Sequence, residues 1–202
     1  MHIVSSNTHD ISHNEIHLDY HHQDTAEICF LSSADSEISL LSKALGYFDV
    51  YPSLRLTNIL KLEDKELIDE YISKTLKDTK IIIARILGGK NYWSYGIDKI
   101  VESHYKKGND IIFFPGDDKF DEQLYALSTI KGKRYRELWA YFIEGGPINA
   151  RNALEYIKYI KFNSPKPDIA NKLNSLGIYW PNNYDLNAIE IERCWAQKNR
   201  EI

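Results

Sequence analysis

Methionine occurs once in this chain, as its first residue, and cysteine only twice. Cys29 lies in an apolar run and Cys194 far away toward the C-terminus, so a disulfide framework is not expected and a cytosolic, reducing setting is. No apolar run approaches the roughly 20 residues that a membrane-spanning helix needs, and the N-terminus lacks the charged-then-apolar layout of a secretory signal. Neither sign of charge is in large excess, since the formal net charge is -4. That leaves no basic footprint for nucleic acid and no polybasic stretch for a membrane surface, so neither is expected as a partner. A Walker loop, a dinucleotide Gly fingerprint, a Cys-x-x-Cys pair, a His-Glu-x-x-His motif and a nucleophile elbow are all absent.

Apolar residues make up 43% of 202 residues, ample for the core of one large domain or two small ones. The 14 tyrosines and 4 tryptophans fit either core packing or a pocket with an apolar body and a polar rim. The most informative stretch runs from Lys80 to Tyr105. Lys80-Ile81-Ile82-Ile83-Ala84 has the length and β-branched content of a buried parallel strand. Ile97, Ile100, Val101 and His104 then recur at helical spacing. Between them, Arg85 to Gly96 forms the strand-to-helix turn, with Gly88-Gly89 and the rings of Tyr92, Trp93 and Tyr95. Ligands of open α/β sheets gather at such carboxyl ends of strands.

The same alternation recurs on either side. Ala26 to Ser32 reads as a strand, followed by a helix from the Ser33–Glu37 capping sequence to Gly46. Tyr51 to Asn58 mixes apolar residues with Arg55, which suits either an anionic ligand or a structural ion pair. Asp64 caps a helix carrying Leu67, Ile68, Tyr71, Ile72 and Leu76. Asp110 to Pro115 is a further buried strand; Asp117 and Asp118 at its exit suit a metal, acid–base work, or a cap for the helix from Asp121 to Leu127. Two helices follow, Arg134 to Ile143 and one from Asn149 through Ile160, with Gly145-Gly146 between them. Those glycines permit close approach of a ligand or a tight helix–helix turn. Pro165-Lys166-Pro167 reads as a linker, Gly177 to Pro181 as a short strand, and Leu186 to Arg200 as a helical segment.

Six of the seven histidines lie in the first 24 residues. His9, His13, His17 and His21 would stripe a helix and are weak metal candidates, whereas Glu15 to Tyr20 alternates as an edge strand would. The expected organisation is a polar His-rich tail or edge strand over 1–24, an α/β domain over 25–181, and a helical segment over 182–202. The fold class is α/β: a three-layer domain with a mainly parallel sheet flanked by helices, plus a more helical C-terminal part.

Leu31-Ser32-Ser33-Ala34-Asp35, Pro52-Ser53-Leu54-Arg55, Arg85 to Gly96, Pro115-Gly116-Asp117-Asp118, Leu127-Ser128, Glu144-Gly145-Gly146-Pro147 with Asn149, and Gly177 to Pro181 together resemble the N-terminal region of the cobaltochelatase large-subunit (CobN) family, which is related to the magnesium-chelatase H subunit. The Leu-Gly-Gly…Tyr-Trp…Tyr-Gly element is the most distinctive. The resemblance implies a subunit that binds a corrinoid, hydrogenobyrinic acid a,c-diamide, and inserts cobalt(II) during cobalamin biosynthesis. It implies AAA+ ATPase partners that hydrolyse ATP, and a remainder of the large subunit beyond this chain, which would then be an N-terminal fragment. No cofactor bound by the fragment and no catalysis by it alone are expected. Tyr92, Trp93 and Tyr95 would stack on a ring face or fasten the turn to its helix, and Arg55 or Arg85 would meet peripheral carboxylates. Gly88, Gly89, Asp117 and Asp118 complete the ligand-binding candidates, and no residue is assigned a catalytic role. A stand-alone tetrapyrrole- or nucleotide-binding module, or a docking domain for the ATPase, are the alternatives.

Overall fold

The computed structural model describes residues 24–62 and 64–172, together with 189, 190, 192, 193 and 195. The histidine stripe at positions 9, 13, 17 and 21 and the strand expected over 177–181 lie outside the described residues. Of the helical segment expected over 186–200, residues 189, 190, 192, 193 and 195 have helical backbone.

Strands and helices alternate: β1 (Ile28–Ser32), α1 (Asp35–Leu45), β2 (Leu54–Asn58), α2 (Lys65–Lys74), β3 (Ile81–Ile86), α3 (Ser94–Lys107) and β4 (Asp110–Pro115). Three more helices follow: α4 (Glu122–Leu127), α5 (Gly132–Glu144) and α6 (Gly146–Lys161). The strands form one parallel sheet in the order β2-β1-β3-β4. Successive side chains of a strand point to opposite faces, so runs such as Ile81-Ile82-Ile83 supply two cores at once. Ile28, Phe30, Ile81, Ile83, Ile112 and Phe114 pack under α1, α5 and α6, while Cys29, Leu31, Ile82, Ala84, Ile111 and Phe113 pack under α2, α3 and α4. This is the expected three-layer α/β architecture.

Two local points left open by the sequence are settled, and two expectations change. Leu54–Asn58 is a strand at one edge, where half-buried residues blur the apolar run. The first turn of α1 has no side-chain cap of its own, because Ser32, one residue upstream of the expected Ser33, accepts from the Ala34 amide at 3.1 Å and donates to Glu37 at 2.7 Å. At Gly145 and Gly146, whose φ values are 62° and 82°, nothing lies within 4 Å of where a Cβ would be, so the helix–helix turn rather than a close neighbour requires glycine. The Pro165-Lys166-Pro167 segment is fastened down rather than loose. Lys166 pairs with Glu137 at 2.7 Å, Tyr141 donates to the Asp168 carbonyl at 2.5 Å, and Asn149 holds the Asn171 backbone through two 2.8 Å bonds.

The outer edge of β4 is closed by side chains. Thr129 and Ser128 hydroxyls accept from the amides of Ile111 and Phe113 at 3.0 and 2.9 Å, and Tyr135 donates to the Phe113 carbonyl at 2.9 Å. Backbone groups that would otherwise template another strand are thereby satisfied.

Candidate functional site

Strand order reverses between β1 and β3, since β1 leads outward to β2 and β3 leads outward to β4. Ligands of such sheets sit at this switch point, beyond the strand ends. Here Ser32 and Arg85 are register partners, and both point toward the α1 side. Arg85 is only 8% exposed. Its guanidinium is ion-paired with Glu37 from the first turn of α1, donates to the Gly116 carbonyl at 3.0 Å, and lies over the Phe142 ring at 5.5 Å. Asn58, at the end of β2, donates to Asp35 at 2.7 Å. The switch point is therefore occupied by a self-satisfied polar network, in which a buried charge keeps a partner.

The open space lies one strand over. A cleft of about 590 Å³ separates the turn after β3 from the turn after β4, with Gly88, Gly89, Lys90 and Asn91 on one wall and Asp117, Lys119, Phe120 and Asp121 on the other. The turn after β3 can pass here because Gly88 and Gly89 have φ of 89° and 74°, and a Cβ on Gly89 would stand 3.1 Å from Asp121 Oδ2. Gly116 brings the two turns together: a Cβ there would meet the Leu87 backbone at 2.8 Å. Asp121 Oδ1 accepts from the Leu124 amide at 2.9 Å and so caps α4, the role that Asp117 and Asp118 were also suited to. Asp117 instead accepts from the Lys119 amide at 3.1 Å. Lys90 is paired with Asp98 at 3.1 Å. Among the described residues, no group of three or more His, Cys, Asp or Glu side chains converges to hold a metal.

The nine candidates thus divide. Gly88, Gly89 and Asp117 line the cleft. Tyr92 packs its Cβ and ring edge near Gly88 and leaves the ring half exposed. Asp118 is exposed on the same turn. Arg85 is committed to Glu37. The Trp93 ring fills the space that a Cβ on Gly96 would take, and Tyr95 turns toward α2, where it donates to Asp69 at 2.8 Å under the ammonium groups of Lys65 and Lys99. Arg55 sits near the amino end of β2 and donates to the Asp24 carbonyl at 2.9 Å. Reasoning from sequence passed over Lys90, Asn91, Lys119 and Gln123 as cleft residues; their position immediately after a strand end was the available signal.

Comparison with known proteins decides the family. Over 159 residues, or 79% of the chain, the sequence is 36% identical to the aerobic cobaltochelatase subunit CobN of a Sinorhizobium species. The chain belongs to the CobN family. A second CobN, from Pseudomonas aeruginosa, is 36% identical over 129 residues. The chain matches 12% and 10% of the length of these two relatives. The fold is shared with the catalytic subunit of cobaltochelatase from Mycobacterium tuberculosis, with a TM-score of 0.58 at 18% identity, covering 76% of this chain and 12% of that one. No protein-family model matches.

Proposed function

We propose that this chain is the N-terminal part of a cobaltochelatase large subunit, and that it works by supporting the corrinoid- and cobalt-handling parts rather than by performing the chemistry. What carries the reading is identity to CobN sustained over 79% of the chain while only 12% of the relative is matched. In the complete assembly, a corrinoid such as hydrogenobyrinic acid a,c-diamide is held while its inner N–H loses a proton and cobalt(II) exchanges its waters for the four ring nitrogens. AAA+ partner subunits hydrolyse ATP to reset the site. The setting is the cytoplasm and the pathway cobalamin biosynthesis, with the magnesium-chelatase H subunit as a more distant relative. The geometry around Arg85 to Gly96 favours a supporting role, because its guanidinium and two of its three rings are spent on internal contacts.

Reconstitution tests this. The chain, a CobN polypeptide lacking the matched segment, the ATPase subunits, ATP, cobalt(II) and the corrinoid are combined, and insertion is followed by the absorbance of the macrocycle. Insertion is expected only when the chain is present, and none from the chain alone with cobalt and corrinoid. Insertion at an unchanged rate without the chain would overturn the proposal. The 590 Å³ cleft has the volume of a small-molecule site and favours a second reading, a tetrapyrrole- or nucleotide-binding module. A spectral change on titrating the isolated chain with corrinoid would support that alternative.

A further inference from the structure

The carboxyl end of the sheet also carries a set of exposed apolar side chains, of which only Phe120 lines the cleft. Leu87 and Tyr92, after β3, are 53% and 54% exposed, and Phe120, after β4, is 50% exposed. Ile143 and Ile148, on either side of the α5–α6 turn, are 40% and 59% exposed. That turn belongs to the same end. Phe142 lies against Arg85 at the end of β3, and α6 then runs back until Lys161 pairs with Asp110 at the amino end of β4. Five large apolar groups from three separate connections therefore share one end of the domain, an arrangement associated with protein contact.

The course of the chain indicates what covers them. After α6 the backbone returns over α5 and α6, and Asn171 is held by Asn149, which is 3% exposed and follows Ile148 directly. The continuously described chain thus ends at residue 172, beside this apolar end and not at the opposite one. Most of the relatives' length lies outside the matched part.

Resting on the reading above, we infer that the carboxyl end of the sheet, through Leu87, Tyr92, Phe120, Ile143 and Ile148, is the face that docks against the remainder of the large subunit. The polar groups at the switch point, Arg85 with Glu37 and Asn58 with Asp35, are engaged with one another, so apolar burial supplies the main driving force, and Leu87 and Ile148, the most exposed aliphatic side chains of the set, are its anchors.

The test uses the whole chain and, as probe, the Pseudomonas aeruginosa CobN polypeptide lacking its matched segment. Binding is measured by calorimetry and function by restored cobalt insertion. Leu87→Asp with Ile148→Asp is expected to weaken binding by about 30-fold and to raise by a similar factor the chain concentration needed for half-maximal insertion. Val50→Asp, at an exposed apolar residue in the α1–β2 connection, should leave both within about 2-fold of the parent chain. Circular dichroism checks that each variant is folded. Restored insertion with equal affinity for parent and double variant would overturn the docking face and leave the subunit assignment standing. Absence of both binding at about 100 µM and restored insertion would overturn the assignment and the face with it. A self-association abolished by the double variant, or capture of the ATPase subunits instead of the probe, would also overturn the choice of occupant.

Discussion

Removing Glu37 should expose how much of this domain depends on the pair at its switch point. The Arg85 and Glu37 side chains are 9% and 14% exposed, so the cation left by Glu37→Ala cannot be rehydrated without opening the end of the sheet. Loss of one partner from a buried pair costs about 3–5 kcal/mol. Arg85 retains the Gly116 carbonyl at 3.0 Å and the Phe142 ring, which places the expected loss at the lower limit, about 3 kcal/mol. For a chain of this size that is a fall in Tm of roughly 6–12 °C. Glu37→Gln keeps the volume and an acceptor for Ser32, and should lose about 2 kcal/mol, the value of a charge-assisted bond. The decisive assay is a double-mutant cycle by urea unfolding, with Arg85→Met and Glu37→Leu. Because the double variant buries no lone charge, it should be more stable than the sum of the single losses by about 2 kcal/mol. Additivity within about 0.5 kcal/mol, or a cost below about 1 kcal/mol for Glu37→Ala, would refute the view that the pair is buried and interdependent.

Gly96→Ala, which at an exposed helical position would stabilise by about 1 kcal/mol, should instead destabilise by about 2 kcal/mol, because the new Cβ would fall 2.3 Å from the Trp93 ring; a lower urea midpoint and red-shifted tryptophan emission are the readouts. Asp64→Ala removes the acceptor of the Leu67 amide at 2.8 Å and should cost about 1 kcal/mol by the same unfolding assay. Burial pushes the Cys29 thiol from 9.0 up to about 12, against the opposing pull of the Tyr71 hydroxyl and the Arg55 charge. In a Cys194→Ser background a thiol reagent should therefore label the folded chain at pH 8 only as fast as it unfolds. The unfolded thiol ionises first, so the contribution of protonated Cys29 to stability is intact below pH 9 and is lost as the pH rises toward 12. Alkaline unfolding at constant temperature checks it, and stability that increases across that window would contradict the burial of this group.

Much of the architecture is legible from local pattern because parallel strands buried on both faces leave unbroken apolar runs. Ile81 to Ala84 and Ile111 to Phe114 are such runs, and both are strands. The cap that a side chain makes to its own helix is equally readable at Asp64, whereas at α4 the cap is Asp121 and not Asp117 or Asp118, the aspartates offered for it. β2 is harder. It lies at an edge, its first three residues are half-buried, and Arg55 interrupts the apolar sequence, so the pattern of a two-sided core does not develop. Pro165 to Asp168 misleads in the opposite direction. Its composition is that of a linker, but Glu137 and Tyr141, more than twenty residues earlier in the chain, supply the contacts that hold it.

The limits at the site have a single geometric origin. Tyr92, Trp93 and Tyr95 look like one aromatic wall in the sequence, yet the chain passes from a 3-10 turn over Lys90–Trp93 into α3 at Ser94, and successive side chains of a helix are turned by about 100°. The rings consequently face three ways: one beside the cleft, one onto Gly96 and one toward Asp69. Arg85 reads as an anion-binding residue at a strand end, but its partner is 48 positions away and reaches it only because β1 and β3 are register neighbours. Position at the strand ends is thus written in the sequence, whereas direction depends on the packing of α1 and α3. The consequence for function is that a distinctive motif at the mouth of an α/β sheet can serve to close that mouth. The apolar side chains exposed there, Leu87, Tyr92, Phe120 and the isoleucines on either side of the α5–α6 turn, suit a protein surface more than a charged macrocycle edge.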